Sequence, residues 1–129
     1  MILSRDIRIL TKLHDVCVGN AVQLRCRHVA ALACRNTIVS IGMNKAHSDP
    51  GFYRLSRSQD KQYIHAEYDC LNNMPEDCSK YALYVMRVDR RGKWAMSKPC
   101  PICERAIRER RIARVVHTIN NGVREMAIE

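Results

Sequence analysis

Two short strings in the chain carry side chains that together could hold a metal ion and move protons. A His-Ala-Glu string places His65 and Glu67 two residues apart, and a Pro-Cys-Pro-Ile-Cys string places Cys100 and Cys103 three residues apart. One imidazole and two thiols are three soft ligands, and catalytic zinc takes three protein ligands and keeps a fourth position for water. We therefore predict a catalytic Zn²⁺ site on these three ligands, with the glutamate free to transfer protons.

Both strings fall at the predicted starts of helices. The second helix of the chain is predicted from about His65 to just before Pro75, and the third from Pro99 to about residue 111. The positive end of a helix favours thiolate, the form of cysteine that binds metal. Cys100 and Cys103 share one face of a first turn. Residues i and i+2 do not, so the glutamate reaches the metal only if the metal lies across the helix end.

A structural site closed by a fourth cysteine is the alternative interpretation of these ligands. Cys34, Cys70 or Cys78 could take the position of water, but such a site would not need the glutamate. These three cysteines are instead predicted to be small core residues. The remaining histidines are predicted to be surface or packing residues: His14, His28, His47 and His117.

Periodicity predicts alternating helices and strands around the two strings. A helix from about Arg5 has apolar residues at helical spacing, predicted to form its buried face: Ile7, Leu10, Leu13 and Cys17. Strands are predicted over 28–34, 37–43, 81–88, 112–119 and 123–128, with a long polar loop over 44–64. Such alternation is typical of a layered α/β sheet. The last two strands must pair antiparallel, because only three residues separate them.

Composition limits the number of domains, the cellular location, the role of the cysteines and the kinds of partner. The 129 residues fit one domain, predicted over 1–129. No apolar run is long enough for a membrane span, and the first residues lack a signal-peptide pattern, so we expect a cytoplasmic protein. Seven cysteines then indicate metal rather than disulfides. A formal charge of +9 favours phosphate-bearing partners. Aromatic residues make up only 5%, which disfavours a single-strand binder that works by base stacking.

The chain resembles the cytidine deaminase-like superfamily over about residues 25–119. Three segments carry the resemblance: the predicted hairpin 27–44 with its Gly-x-Asn end, the His-Ala-Glu string, and the Ser-Lys-Pro-Cys-Pro-Ile-Cys string at 97–103. The resemblance implies a three-layer α/β/α fold, with a mixed five-stranded sheet, helices on both faces and an antiparallel C-terminal hairpin. It also implies the H-x-E…P-C-x-x-C zinc chemistry of nucleobase deaminases.

Several residues, most of them outside the two predicted zinc-binding strings, called the zinc strings below (65–67 and 99–103), are expected to bind the substrate. By resemblance, Asn44 would hydrogen-bond the sugar or base, the Ala66 N–H would contact the pyrimidine carbonyl, and the carbonyl near Ser97 would accept from the amino group. Arg54, in the basic loop, and Lys98 could contact a sugar or phosphate; a solvated charged loop is the alternative for Arg54 and its neighbours. Lys98 stands where the family usually has a small or acidic residue.

The substrate expectation follows from the resemblance and from the C-terminal hairpin. The hairpin is similar to that of free cytidine and blasticidin deaminases, whereas tRNA-editing and deoxycytidylate branches place a helix there. We expect hydrolytic deamination of a cytosine nucleoside or nucleotide, such as cytidine, deoxycytidine, CMP or dCMP, to the uracil product and ammonia. The alternatives are a nucleic-acid-editing deaminase acting on cytosine or adenine in RNA or single-stranded DNA, and a non-catalytic zinc-stabilised nucleic-acid-binding module.

Two further expectations concern partners. Related free deaminases assemble so that neighbours complete each other's sites, so the resemblance implies a homo-oligomer. A run of arginines follows the second zinc string and is predicted to cover a solvated helix face or a subunit contact rather than a nucleic-acid track: Arg105, Arg108, Arg110, Arg111 and Arg114.

Overall fold

The structure is a computed structural model that describes residues 1–19, 27–43, 65–72 and 74–128. In chain order its elements are α1 (Ser4–Gly19), β1 (Arg27–Cys34), β2 (Thr37–Met43), α2 (Ala66–Leu71), β3 (Ala82–Val88), β4 (Trp94–Ala95), α3 (Pro101–Glu109), β5 (Arg114–Ile119) and β6 (Gly122–Met126). No described helix has the length and apolar character needed to cross a bilayer.

The strands form one mixed sheet in the order β2-β1-β3-β5-β6. β1 is antiparallel to both β2 and β3, and β3 is parallel to β5. β5 and β6 are antiparallel, which confirms the predicted C-terminal hairpin. The two-residue β4 pairs with the end of β3, so the described part of the chain contributes six strands to the sheet, one more than expected. The predicted mixed α/β sheet is confirmed.

Helices cover both faces of the sheet. One core cluster lies under α2 and α3 and includes Ala30 and Leu32 of β1, and the other lies under α1 and includes Val29 and Ala31 of the same strand. The alternation along β1 follows from the period of two in a β-strand. Two helices on one face therefore carry both zinc strings, and α1 closes the opposite face.

The buried face of α1 differs from the predicted one by one position. Ile7 was expected to face inward, yet it is 41% exposed, whereas Ile9 is 2% exposed and the three other predicted residues are buried. The inward position in the first turn belongs to Asp6, which is fully buried. A hydrophobic pattern could not identify it, because a carboxylate is buried only when it has partners.

Two of those partners come from strands of the sheet, and the third is the backbone N–H just before α1. The Asp6 carboxylate accepts hydrogen bonds from the Arg114 guanidinium at 2.7 Å, from the Tyr84 hydroxyl at 2.6 Å and from the Leu3 N–H at 2.7 Å. Burial opposes ionisation of Asp6, but these donors outweigh it and lower its pKa from 3.8 to about 2. Arg114 also donates to Glu125 of β6. The network fastens α1 to β3, β5 and β6.

We expect Asp6→Asn to lower the free energy of unfolding by about 3 kcal/mol, because removing one partner leaves the guanidinium incompletely paired. Urea unfolding at pH 7 measures this, with Asp15→Asn on the exposed face of the same helix as the control. The folded pKa lies below the unfolded one, so this contribution is complete above pH 4 and is lost as the pH falls toward 2. Between pH 4 and pH 2, the free energy of unfolding of the wild type should therefore fall by about 2 kcal/mol more than that of the variant. Equal acid sensitivity would contradict the assigned network.

Candidate metal centre

Two of the three predicted ligands occupy the residues just before helices. His65 is the N-cap of α2, with φ −76° and ψ 153°, and Cys100 is the N-cap of α3, with φ −72° and ψ 167°. The third helix therefore begins at Pro101 rather than at Pro99, and proline suits this first position because it needs no N–H partner. Because the backbone at His65 is extended rather than helical, the i, i+2 rule for helix faces does not separate it from Glu67.

The structure brings the three predicted ligands together. Nδ1 of His65 lies 3.4 Å from Sγ of Cys100 and 3.4 Å from Sγ of Cys103, and all three ligand atoms lie within 4.8 Å of one another. Tetrahedral zinc, with bonds of about 2.3 Å to sulfur and about 2.0 Å to nitrogen, separates sulfur from nitrogen by roughly 3.5 Å. The donor set and its spacing fit Zn²⁺.

The two sulfurs form a coupled pair. The Cys103 side chain lowers the pKa of Cys100 to about 3, with a further contribution from His65 and against the effect of burial. The same contact raises the pKa of Cys103, as do its burial and the nearby Glu67. One sulfur of the pair is therefore ready to act as a thiolate. A zinc ion on both sulfurs would release the second proton.

Glu67 is buried beside this cluster. Its side chain is 2% exposed, and its Oε1 atom accepts no hydrogen bond from any residue that the structure describes. A side-chain hydrogen bond and the charge of Glu67 both raise the pKa of the thiol of Cys103, a predicted ligand. A buried carboxylate oxygen without a donor is costly and is typical of a functional site or of a place for a water or an ion. An unpaired buried oxygen of this kind suits a residue that exchanges protons with water at a zinc site.

No fourth protein ligand joins the cluster among the described residues. The Cys70 thiol donates to the Ser40 carbonyl at 3.5 Å, and the Cys78 thiol donates to the Pro75 carbonyl at 3.2 Å. Burial raises the pKa of Cys70 to about 12 and also raises that of Cys78, so both remain protonated core residues. Cys34 lies at the end of β1 and is likewise outside the cluster. A three-ligand arrangement is the one that leaves room for water.

Close contacts between α2 and β2 position Glu67. The Ser40 hydroxyl donates to the Cys70 carbonyl at 2.7 Å, and the Met43 N–H donates to the Asp69 carboxylate at 3.0 Å. Between these two contacts, the absence of a side chain at Gly42 lets the helix approach. A Cβ at Gly42 would overlap backbone atoms of Cys70 and Ala66.

We expect Gly42→Ala to lower the free energy of unfolding by about 2–3 kcal/mol, because the obstacles are backbone atoms that can move only with α2. Zinc affinity should fall with it, since the helix start carries a predicted ligand. Urea unfolding and competition with a chromophoric zinc chelator measure the two effects. Gly122→Ala is the control, because an added Cβ there meets only side-chain atoms of Ile119, at 3.2 and 3.4 Å. Equal behaviour of the two variants would exclude the proposed role of Gly42.

The other predicted substrate residues are found in different settings. Ala66 is buried at the first position of α2, where its N–H has no acceptor within the helix. Ser97 is buried, and its hydroxyl binds the Val85 carbonyl at 2.9 Å and Oγ1 of Thr118 at 2.8 Å. These bonds tie the segment before the cysteines to β3 and β5. The predicted role of the Ser97 carbonyl stays a prediction.

Lys98, Asn44 and Arg54 complete the predicted set. Lys98 is exposed and lines a cavity of about 290 Å³ beside α3 and β6, together with Glu104, Ile107, Arg108, Met126, Ala127 and Ile128. Neither Glu67 nor a predicted ligand lines this cavity. Asn44 and Arg54, with the rest of the predicted loop, lie outside the described residues.

Two arginines of the predicted surface run form hydrogen bonds within the fold. Arg110 donates to the Met74 and Pro75 carbonyls, which connects the end of α3 to the segment after α2. Arg114 is part of the network around Asp6. The run is therefore not a uniform solvated face, and two of its five charges are committed to internal contacts.

Sequence reasoning missed His28. Its Nε2 atom lies 3.9 Å from Oε1 of Glu67, and its side chain is 24% exposed. A signal was present in the sequence, because His28 is the titratable residue that begins an otherwise apolar predicted strand. Alternation with Ala30 and Leu32 puts it on the sheet face covered by α2 and α3.

The fold and the site together define the class of protein. A layered α/β sheet that holds a His/Cys/Cys cluster beside a buried glutamate is the arrangement of a zinc-dependent deaminase. The model of the cytidine and deoxycytidylate deaminase zinc-binding region matches residues 5–119, so the chain belongs to this family. No curated protein matches the chain. Family membership and the donor set agree on Zn²⁺ as the cofactor.

Proposed function

We propose that this protein is a hydrolytic deaminase of free cytosine nucleosides or nucleotides, with His65, Cys100 and Cys103 as zinc ligands and Glu67 as the proton-transfer residue. The observation that carries the proposal is the orphaned Oε1 of Glu67, a buried side chain that borders Cys103 of the three-ligand cluster. A closed structural zinc site would have no use for a buried carboxylate at this place. A site that must accept and return protons requires one.

Each group has a definite part in the proposed reaction. A Zn²⁺ ion bound there would act as a Lewis acid and lower the pKa of water toward about 7. Glu67 accepts a proton from the water that attacks the amino-bearing carbon of cytosine. It delivers this proton to the ring nitrogen and then transfers the remaining proton of the new hydroxyl group to the departing amine, so that cytosine and water give uracil and ammonia. Burial keeps the carboxylate away from bulk solvent, which prevents proton exchange during these steps.

Topology supports a free cytosine compound as the substrate, because the antiparallel β5–β6 hairpin resembles that of free cytidine deaminases. The net charge of +9 suits a phosphate-bearing partner, which includes both nucleotides and nucleic acid. The internal use of Arg110 and Arg114 weakens the view of the arginine run as a nucleic-acid track. We further propose that Asn44, Arg54 and Lys98 contact the sugar or phosphate, and that the active form is a homo-oligomer.

Ammonia release from a substrate panel tests the proposal. The zinc-loaded protein is incubated with cytidine, deoxycytidine, CMP and dCMP, and in parallel with RNA and single-stranded DNA oligonucleotides that contain cytosine or adenine. We expect release from at least one free cytosine compound. Release from oligonucleotides alone would replace the proposal by nucleic-acid editing. Tight oligonucleotide binding without release from any member would favour a non-catalytic zinc-stabilised module.

A further inference from the structure

His28 faces the predicted proton-transfer residue from the sheet. It begins the inward-facing series of β1 that continues with Ala30 and Leu32, and it pairs with Arg87 of β3. Its Nε2 atom and the Oε1 atom of Glu67 are both buried and are 3.9 Å apart. The carboxylate is therefore bordered by Cys103 on the ligand side and by an imidazole on the sheet side.

The surroundings favour a neutral imidazole. Burial is the main cause that lowers the pKa of His28, and the charges of His65 and Arg87 act in the same direction. Glu67 and Cys100 oppose the shift without reversing it. A neutral imidazole still carries one N–H, so it can donate to a carboxylate without adding a full charge to the site. It would hold the carboxylate in place and leave it able to accept protons.

We propose that His28 is a positioning residue that donates Nε2–H to Oε1 of Glu67 and orients this carboxylate for proton transfer. The separation must close from 3.9 Å to about 3.2 Å or less for a hydrogen bond. A small rotation of either side chain achieves this, and catalytic hydrogen bonds that are long without substrate often shorten when it binds. The contact also satisfies the otherwise orphaned oxygen. The inference rests on the proposed function of Glu67.

A matched pair of variants separates donation from packing. His28→Gln keeps an N–H donor of similar reach. His28→Met introduces a side chain of nearly the same shape as glutamine but without a donor. We expect the Met variant to lose about 10–100-fold in kcat, with KM within about threefold of wild type, and the Gln variant to recover most of the loss. Zinc content should equal that of wild type in both. If the Met variant does not fold, His28→Ala replaces it in the comparison.

Three kinetic outcomes would overturn the proposal. Unchanged kcat in the Met variant would show that the contact has no role. Equal losses in the Met and Gln variants would indicate packing, and a loss confined to KM would indicate a direct substrate contact. Loss of zinc would assign His28 to the metal instead of to the carboxylate.

A double-mutant cycle tests the contact without relying on turnover. Urea unfolding is measured for His28→Met, Glu67→Met and the double variant, in which each single change removes one partner of the contact, and we expect the double effect to differ from the sum of the single ones. Additive effects would contradict the contact. If wild type is inactive on every member of the panel, the proposed function fails, while the cycle still decides whether His28 and Glu67 interact.

Discussion

Replacing Glu67 with glutamine will lower kcat by about 10²–10⁴-fold, the range that a positioned general acid–base group contributes. The amide has nearly the shape of the carboxylate but cannot accept and return a proton. Glu67 is buried and close to Cys103, so a large substitution would disturb the cluster, whereas this one preserves its packing. Zinc content should therefore stay at the wild-type value. The measurements are steady-state kinetics on the best substrate of the panel and metal analysis of the same preparation.

Stability distinguishes a catalytic role of Glu67 from a structural one. No described residue donates a hydrogen bond to its Oε1, so burial of this oxygen in a charged group is costly to the fold. We expect the urea midpoint of Glu67→Gln to equal or exceed that of wild type, because a neutral amide is less costly to bury than a carboxylate with one unpaired oxygen. Glu109→Gln, an exposed change on α3, is the control for both measurements. Full activity in the Glu67 variant would refute the mechanism, and lost zinc would make the residue part of the metal site.

The sequence allowed the ligand cluster to be predicted because its spacing is local. Cys100 and Cys103 lie within one helical turn, so their proximity needs only a helix at the right place. The predicted start of that helix was wrong by two residues, yet the two cysteines still lie together, since the N-cap and the third helical residue are on the same side of the helix end. His65 is brought to them by the packing of α2 and α3 on one sheet face, which the layered pattern implied.

Contacts between distant residues were not predictable in the same way. Asp6 and Arg114 are separated by 108 residues and meet only after β5 takes its place beside β3. Apolar periodicity therefore assigned the inward position to Ile7 and treated Arg114 as a surface charge. His28 was missed for a related reason. Its approach to Glu67 depends on how closely α2 packs against the sheet, and that close packing requires Gly42, which lies outside the two strings.

Replacing Cys103 with alanine will abolish stable zinc binding. Cys103 is fully buried and supplies one of three predicted ligand atoms, with its sulfur 3.4 Å from Nδ1 of His65. Loss of a group that only supports a ligand typically reduces metal affinity by about 10–100-fold, so loss of a ligand itself should exceed about 10²-fold. Competition with a chromophoric chelator gives the affinity, and metal analysis after gel filtration gives the content.

Cys78→Ala is the matched control, because it removes the same atoms from an equally buried position. Cys78 and Cys103 are both fully buried, but the Cys78 thiol donates to the Pro75 carbonyl and lies outside the ligand cluster. Both variants should lose similar packing energy, about 1–2 kcal/mol, while only the Cys103 variant should lose zinc. A chelator should lower the melting temperature of wild type and of Cys78→Ala, and should leave Cys103→Ala unchanged, because zinc stabilises only a protein that binds it. Zinc loss in the Cys78 variant would instead favour a closed four-ligand site, with no position left for the water that Glu67 would activate.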